Sequence, residues 1–174
     1  MNTAPEVAEL LFPRQPWGTL IELGYTGSRD GMTAPQMRAV FTHVARLFAA
    51  ALASDPRPPR VNAHHGDCTG GDYEFHVIAT VLGCRTIAHP PSNPSRRAHC
   101  KADEIRAPKD YLVRDWDIAA ETWELLAAPA TMEPYLGSGT WTTAGYGVQM
   151  NHPVTVFLPD GSVHPAYEFG LRRA

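Results

Sequence analysis

Three glycine-rich loops limit what this chain can fold into. They are Tyr25-Thr26-Gly27-Ser28-Arg29-Asp30-Gly31, Gly66-Asp67-Cys68-Thr69-Gly70-Gly71-Asp72 and Gly137-Ser138-Gly139-Thr140-Trp141-Thr142-Thr143. Each follows a short apolar run and precedes a helical pattern. Glycine lets the backbone approach a ligand closely, and a helix start leaves free N–H groups. A strand–loop–helix order repeated this way makes anion cradles at helix amino ends. One Gly-x-Gly is unspecific, but three in the same context are not.

The segments between the loops follow the same alternation. Thr19–Leu23 reads as a first strand. Thr33 then caps a helix, with Gln36 completing a capping box and Pro35 in the first turn. Met37, Val40, Phe41, Val44, Leu47, Phe48, Ala51 and Leu52 form its apolar stripe. Asp55-Pro56-Arg57-Pro58-Pro59 ends it. Arg60–His64 is a second strand. A helix with Phe75, Ile78, Ala79 and Leu82 on one face follows, and Gly83 suits its C-terminal end. Cys84–Ala88 is a third strand. Residues 99–113 suit a short helix and then an extended piece. A helix opens at Asp115, Glu124–Ala128 is a fourth strand, and the third loop leads to a helix ending near Met150. Val154–Leu158 is a fifth strand, closed by a Pro159-Asp160-Gly161 turn, and the tail through Tyr167–Phe169 adds an edge strand, with Phe169 packed.

Short apolar strands without alternation, separated by helices, predict an α/β fold: a Rossmann-like, doubly wound, mainly parallel sheet with helices on both faces. Ligands of such sheets sit beyond the carboxyl ends of the strands, where all three glycine loops fall. The 174 residues suit a single domain, 1–174, with an extension over 1–17 and a tail over 162–174.

The net charge of −3 lacks the basic excess of a nucleic-acid-binding surface. No apolar run reaches membrane-spanning length, and the first, Ala8–Phe12, is too short for a signal sequence. Three cysteines, Cys68, Cys84 and Cys100, are expected as reduced thiols in a cytoplasmic protein.

Gly24-Tyr25-Thr26-Gly27-Ser28-Arg29, then Gly66 to Asp72, then Arg114-Asp115, then Gly137-Ser138-Gly139-Thr140 together resemble the SLOG superfamily. That Rossmann-like group includes the LOG phosphoribohydrolases and the Rossmann domain of DNA-processing protein A. The match runs over roughly residues 18–160 and is nearest to small bacterial and phage members. The resemblance implies a nucleotide or nucleotide-derived ligand at these loops and a homo-oligomer. In LOG enzymes a Gly-Gly-x-Gly-Thr-x-x-Glu motif carries a catalytic glutamate. Aligned on Gly139-Thr140, that position is Thr143, which cannot act as a carboxylate. Glu133 is a carboxylate at another position. Ligand binding, as a sensor or sequestering protein, is therefore the leading expectation. Phosphoribohydrolase or other N-glycosidase chemistry is the alternative. A DNA-binding role is disfavoured by the acidic balance.

Candidate ligand-binding residues are Gly27, Ser28, Arg29, Gly66, Asp67, Thr69, Gly70, Gly71, Asp72, Arg114, Gly137, Ser138, Gly139 and Thr140. Arg29 and Arg114 match phosphate geometry. Asp67 and Asp72 suit ribose hydroxyls, although Thr69-x-x-Asp72 also reads as a capping box. Arg96 and Arg97 read as a loop gate or a solvated patch, and Trp141 as a base-stacking or core residue. Cys68 is a nucleophile only with a base such as His65 or His76. His64, His65 and Cys68, with His89 or Cys100, are metal-ligating types. They lack Cys-x-x-Cys or His-Glu-x-x-His spacing, so no metal and no cofactor are expected.

Overall fold

The computed structural model describes residues 18–171. The expected 1–17 extension and the last three residues lie outside the described residues.

Seven strands form one sheet: β1 (Leu20–Gly27), β2 (Arg60–His65), β3 (Arg85–Ala88), β4 (Glu104–Ile105), β5 (Glu124–Ala128), β6 (Val154–Phe157) and β7 (Val163–Pro165). Their order is β4-β3-β2-β1-β5-β6-β7. All neighbouring pairs are parallel except β6–β7. Four helices connect them: α1 (Ala34–Ser54), α2 (Gly71–Val81), α3 (Tyr111–Glu121) and α4 (Gly139–Gln149). The chain builds the sheet outward from β1 on one side, then returns to β1's other edge with β5. The crevice between β1 and β5 is the switch point at which such sheets bind ligands.

Alternation along the strands assigns the two cores. Leu23 and Tyr25 of β1, Val61 and Ala63 of β2, and Leu126 and Ala128 of β5 pack with Val40 and Val44 of α1 and Phe75, Ile78 and Ala79 of α2. On the other face, Leu125, Ala127, Val154 and Val156 pack with Ile118 of α3 and Trp141 and Ala144 of α4. Phe169 joins this second core, as expected.

The α1 amino end is as the sequence predicts. The Thr33 hydroxyl accepts from the Gln36 amide and the Gln36 side chain accepts from the Thr33 amide. The stripe is narrower than expected, because Val40, Val44 and Ala51 are buried while Met37, Phe41 and Leu52 are exposed flanks. The second capping box does not form. Gly70 is the residue before α2, and the Asp72 carboxylate turns back to accept from the Cys68 amide. Helix α3 opens one turn earlier than Asp115. Asp110 is extended, and its carbonyl takes the Arg114 amide, so Arg114 and Asp115 both lie inside the helix. The edge strand is Val163–Pro165, and Ala166–Phe169 forms a 3-10 turn instead.

Candidate functional site

The β1 and β2 loops lock into one another. The Gly71 amide donates to the Ser28 carbonyl at 2.8 Å. Gly70 has φ +83°, and a Cβ there would stand 2.2 Å from the Arg29 carbonyl oxygen. Only glycine fits both the backbone conformation and the contact. The Ser28 amide in turn donates to the Ala128 carbonyl, which carries the β1 loop onto β5. Across the crevice, Ser138 caps α4 and Gly137 has φ +88°. The amides of Gly139 and Thr140 sit in the first turn of α4, where the helix has no internal acceptor for them.

These loops and the start of α3 enclose a cavity of about 470 Å³ at the β1–β5 switch point, within the range of small-molecule sites. Of the expected residues, Gly27, Ser28, Arg29, Asp72, Arg114, Gly137, Ser138, Gly139 and Thr140 line it. Gly66, Asp67, Thr69, Gly70 and Gly71 do not. Asp67 is fully buried, paired with Arg97 at 2.8 Å, and accepts from the Cys100 amide, which makes it a brace for the 97–100 segment. Thr69 is exposed and its amide donates to the Arg96 carbonyl. Glu133 is exposed and is not brought to the cavity either. Two further concavities, one of about 450 Å³ beside α1 and one of about 870 Å³ beside β6 and β7, lie away from the glycine loops.

Within the cavity wall lies a buried charge cluster. Arg114 is 6% exposed. Its Nε is 3.0 Å from Asp115 Oδ1, its Nη1 is 3.6 Å from Asp72 Oδ2, and its Nη2 points at Cys68 Sγ at 3.5 Å. Burial opposes its charge, but Asp115 and Asp72 outweigh burial and hold it protonated. Burial raises the Asp72 carboxyl to about 6, against the pull of Arg114 and the Cys68 amide. Burial also raises Asp115, partly offset by Arg114 and the Thr143 side chain. Burial, then Asp72, pushes the Cys68 thiol up to about 11. The thiolate is the nucleophile, so Cys68 is a poor one near neutral pH.

The polar surface of the cavity comes from elsewhere. The Arg29 guanidinium stacks on the Tyr111 ring at 4.7 Å, and Arg114 lies 5.8 Å from the same ring. Arg29 and Arg96 line the cavity, are exposed, and have no ion-pair partner among the described residues. The hydroxyls of Tyr25 and Tyr111 are buried in its wall with no hydrogen-bond partner among the described residues. A buried unpaired hydroxyl costs free energy and calls for an explanation. Sequence reasoning missed Tyr25 and Tyr111 as site residues, and read Asp115 as a cap. The available signal was Tyr111-x-x-Arg114, which is one helical turn and puts both on one face.

No protein-family profile matches the sequence, and no curated protein matches it. Solved structures do match the fold. The X-ray structure of TM1055, a structural genomics target, superposes with a TM-score of 0.52 at 12% identity, over 78% of this chain and 72% of that one. DNA processing protein A from Streptococcus pneumoniae gives 0.53 at 16% identity, over 79% of this chain and 50% of that one. DNA processing protein A from Helicobacter pylori, described for its single-stranded DNA binding mode, gives 0.51 at 16% identity, over 80% and 65%. This chain thus spans about half to two thirds of the DNA processing proteins. At these identities the likeness concerns the fold alone, a Rossmann-like α/β fold with a mainly parallel sheet.

Proposed function

We propose that the chain binds a nucleotide or nucleotide-derived small molecule in the cavity between β1, β5, α3 and α4. The observation that carries this reading is the meeting of Arg29, Arg96 and the first turn of α4 around one cavity whose wall holds two unpartnered tyrosine hydroxyls. Guanidinium groups and helix amino ends together select phosphate. Arg114 does not act as a free phosphate ligand in this reading, because Asp72 and Asp115 already neutralise it. It serves as the fixed counter-ion within the wall. We extend the reading to a homo-oligomer, whose contact would cover the exposed Leu112, Val113 and Trp116 of α3. Light scattering tests that part.

A second reading, cleavage of an N-glycosidic bond, is favoured by one observation. Asp115 lines the cavity and its carboxyl interacts with Thr143, the position where LOG enzymes carry glutamate. A carboxylate is thus supplied to that region from α3 rather than α4.

One experiment separates these readings. The protein is titrated calorimetrically with nucleoside mono-, di- and triphosphates, cyclic nucleotides and a single-stranded oligonucleotide, and each mixture is chromatographed for free base. Binding without base release, weakened at least tenfold by Arg29→Ala, is the expected result. Base release that Asp115→Asn abolishes and Glu133→Gln does not would establish the second reading. Binding of the oligonucleotide alone would sink both.

A further inference from the structure

We propose that His64, His89 and Glu121 form a binding site for one divalent zinc-class cation, separate from the cavity at the β1–β5 switch point. His64 lies on β2, His89 directly after β3 and Glu121 at the last position of α3. One ligand atom from each lies within 4.8 Å of the other two. His64 Nδ1 and His89 Nε2 are 3.0 Å apart. Two nitrogens on a tetrahedral zinc stand about 3.3 Å apart when each bond is about 2.0–2.1 Å, so a small outward shift seats the ion. Glu121 Oε2 is 3.9 Å from His64 Nδ1.

Access to solvent and the ligand types favour this cluster over a neighbouring one. His64 Nε2 is 3.0 Å from Glu22 Oε2 and donates its proton there. His64 Nδ1 then accepts from His89 Nε2, and a cation would take the place of that one proton, with His89 shifting to its other tautomer. A carboxylate behind a histidine is the usual support of a metal ligand. Both histidines are 2% exposed, so the pair is held by the fold rather than by solvent. Glu121 is exposed and gives the site access to solvent. The nearest opposing cation is Arg106, whose Nη2 is 2.8 Å from Glu121 Oε2 and whose Nη1 pairs with Glu104; Arg114 and Lys109 also act on His89.

The other cluster, His65, His76 and Cys100, is also close-packed. There His65 Nδ1 accepts from the Asp67 amide at 3.2 Å, so its proton sits on Nε2 and is directed at His76 Nδ1. The Cys100 thiol is pushed up to about 12 by burial and by Asp67. All three members of that cluster are buried, so it has no exposed ligand by which a hydrated ion could enter.

Two histidines and one carboxylate leave a fourth position for water, the donor set of an open zinc site. The test titrates metal-free protein with Zn²⁺ against a chromophoric chelator and with Co²⁺ for its tetrahedral absorption. One equivalent is expected to bind. His64→Ala and His89→Ala are each expected to lose at least tenfold in affinity, and Glu22→Gln roughly tenfold. If a variant does not fold, zinc-edge X-ray absorption on the wild type decides. Two imidazoles with oxygen and no sulfur support the site. A sulfur ligand, retained affinity in both histidine variants, or no stoichiometric binding overturns it.

Discussion

Nη1 of Arg114 occupies the space in which a side chain at Gly66 would begin: a Cβ there would stand 1.2 Å from it. Gly66 is thus a site residue in an indirect sense. It makes room for the guanidinium that neutralises Asp72 and Asp115. Gly66→Ala is expected to displace Arg114 and leave two buried carboxylates with a poor counter-ion. Removing one partner of a buried ion pair costs roughly 3–5 kcal/mol. Denaturant unfolding measures this, and a loss below about 1 kcal/mol would show that the guanidinium relocates freely.

Asp72 sets a pH dependence of known sign. Its carboxyl titrates at about 6 in the fold, against 3.8 as the reference value, chiefly because burial disfavours the charged form. A group raised in this way contributes stability that is complete below the unfolded pKa and is lost as pH rises through the folded one. At about 1.4 kcal/mol per unit, the loss is on the order of 2–3 kcal/mol. Asp72→Asn keeps an acceptor for the Cys68 amide and removes the titration. Between about pH 4 and 7, wild-type stability should therefore fall relative to Asp72→Asn, and level off above that. Parallel stability curves would be incompatible with this assignment.

The glycine loops, the parallel sheet and the edge on which the site lies were legible in the sequence, because glycine position and apolar runs report backbone demands directly. The roles of individual loop residues were less so. Asp67 and Asp72 look alike as acids in one loop, yet one braces Arg97 and the other faces the cavity. That difference arises from segments 30 or more residues away, which no local pattern encodes. Tyr111 lay in a stretch, 99–113, with no periodicity to read. The His64–His89 pair was similarly hidden, since β2 and β3 bring together side chains with no motif spacing.

Arg29 carries the recognition prediction. Its stacking on Tyr111 holds the guanidinium at the cavity mouth without consuming its hydrogen-bond donors. Arg29→Lys keeps the charge but loses the planar fork and the stacking. For a phosphorylated ligand, Arg29→Ala is expected to lose at least tenfold, and Tyr111→Leu severalfold, with unchanged thermal midpoints. Affinity should also fall as salt rises, since Arg29 and Arg96 are exposed. Calorimetric titration over a salt series checks this, and salt-independent binding would contradict an anionic ligand.

Gln36 gives the last prediction, and it joins the cap of α1 to the site. Its Nε2 donates to the Pro129 carbonyl at 2.7 Å and to the Phe157 carbonyl at 2.8 Å, while its Oε1 takes the Thr33 amide. The side chain is 1% exposed, so none of these groups has water as an easy substitute. The Pro129 carbonyl begins the segment that carries Ala130 and Tyr135 into the cavity wall. Gln36→Leu fills much of the volume but leaves two carbonyls and one amide unpaired, at roughly 1–3 kcal/mol for each group left unsatisfied. Thr33→Ala removes the cap hydroxyl and its bond to the Pro159 carbonyl, for about 1 kcal/mol. The expected order of destabilisation is therefore Gln36→Leu well above Thr33→Ala, with hydrogen exchange in Gln36→Leu accelerated first in residues 129–138. Equal losses, or exchange that rises only within α1, would mean that Gln36 acts as a helix cap alone.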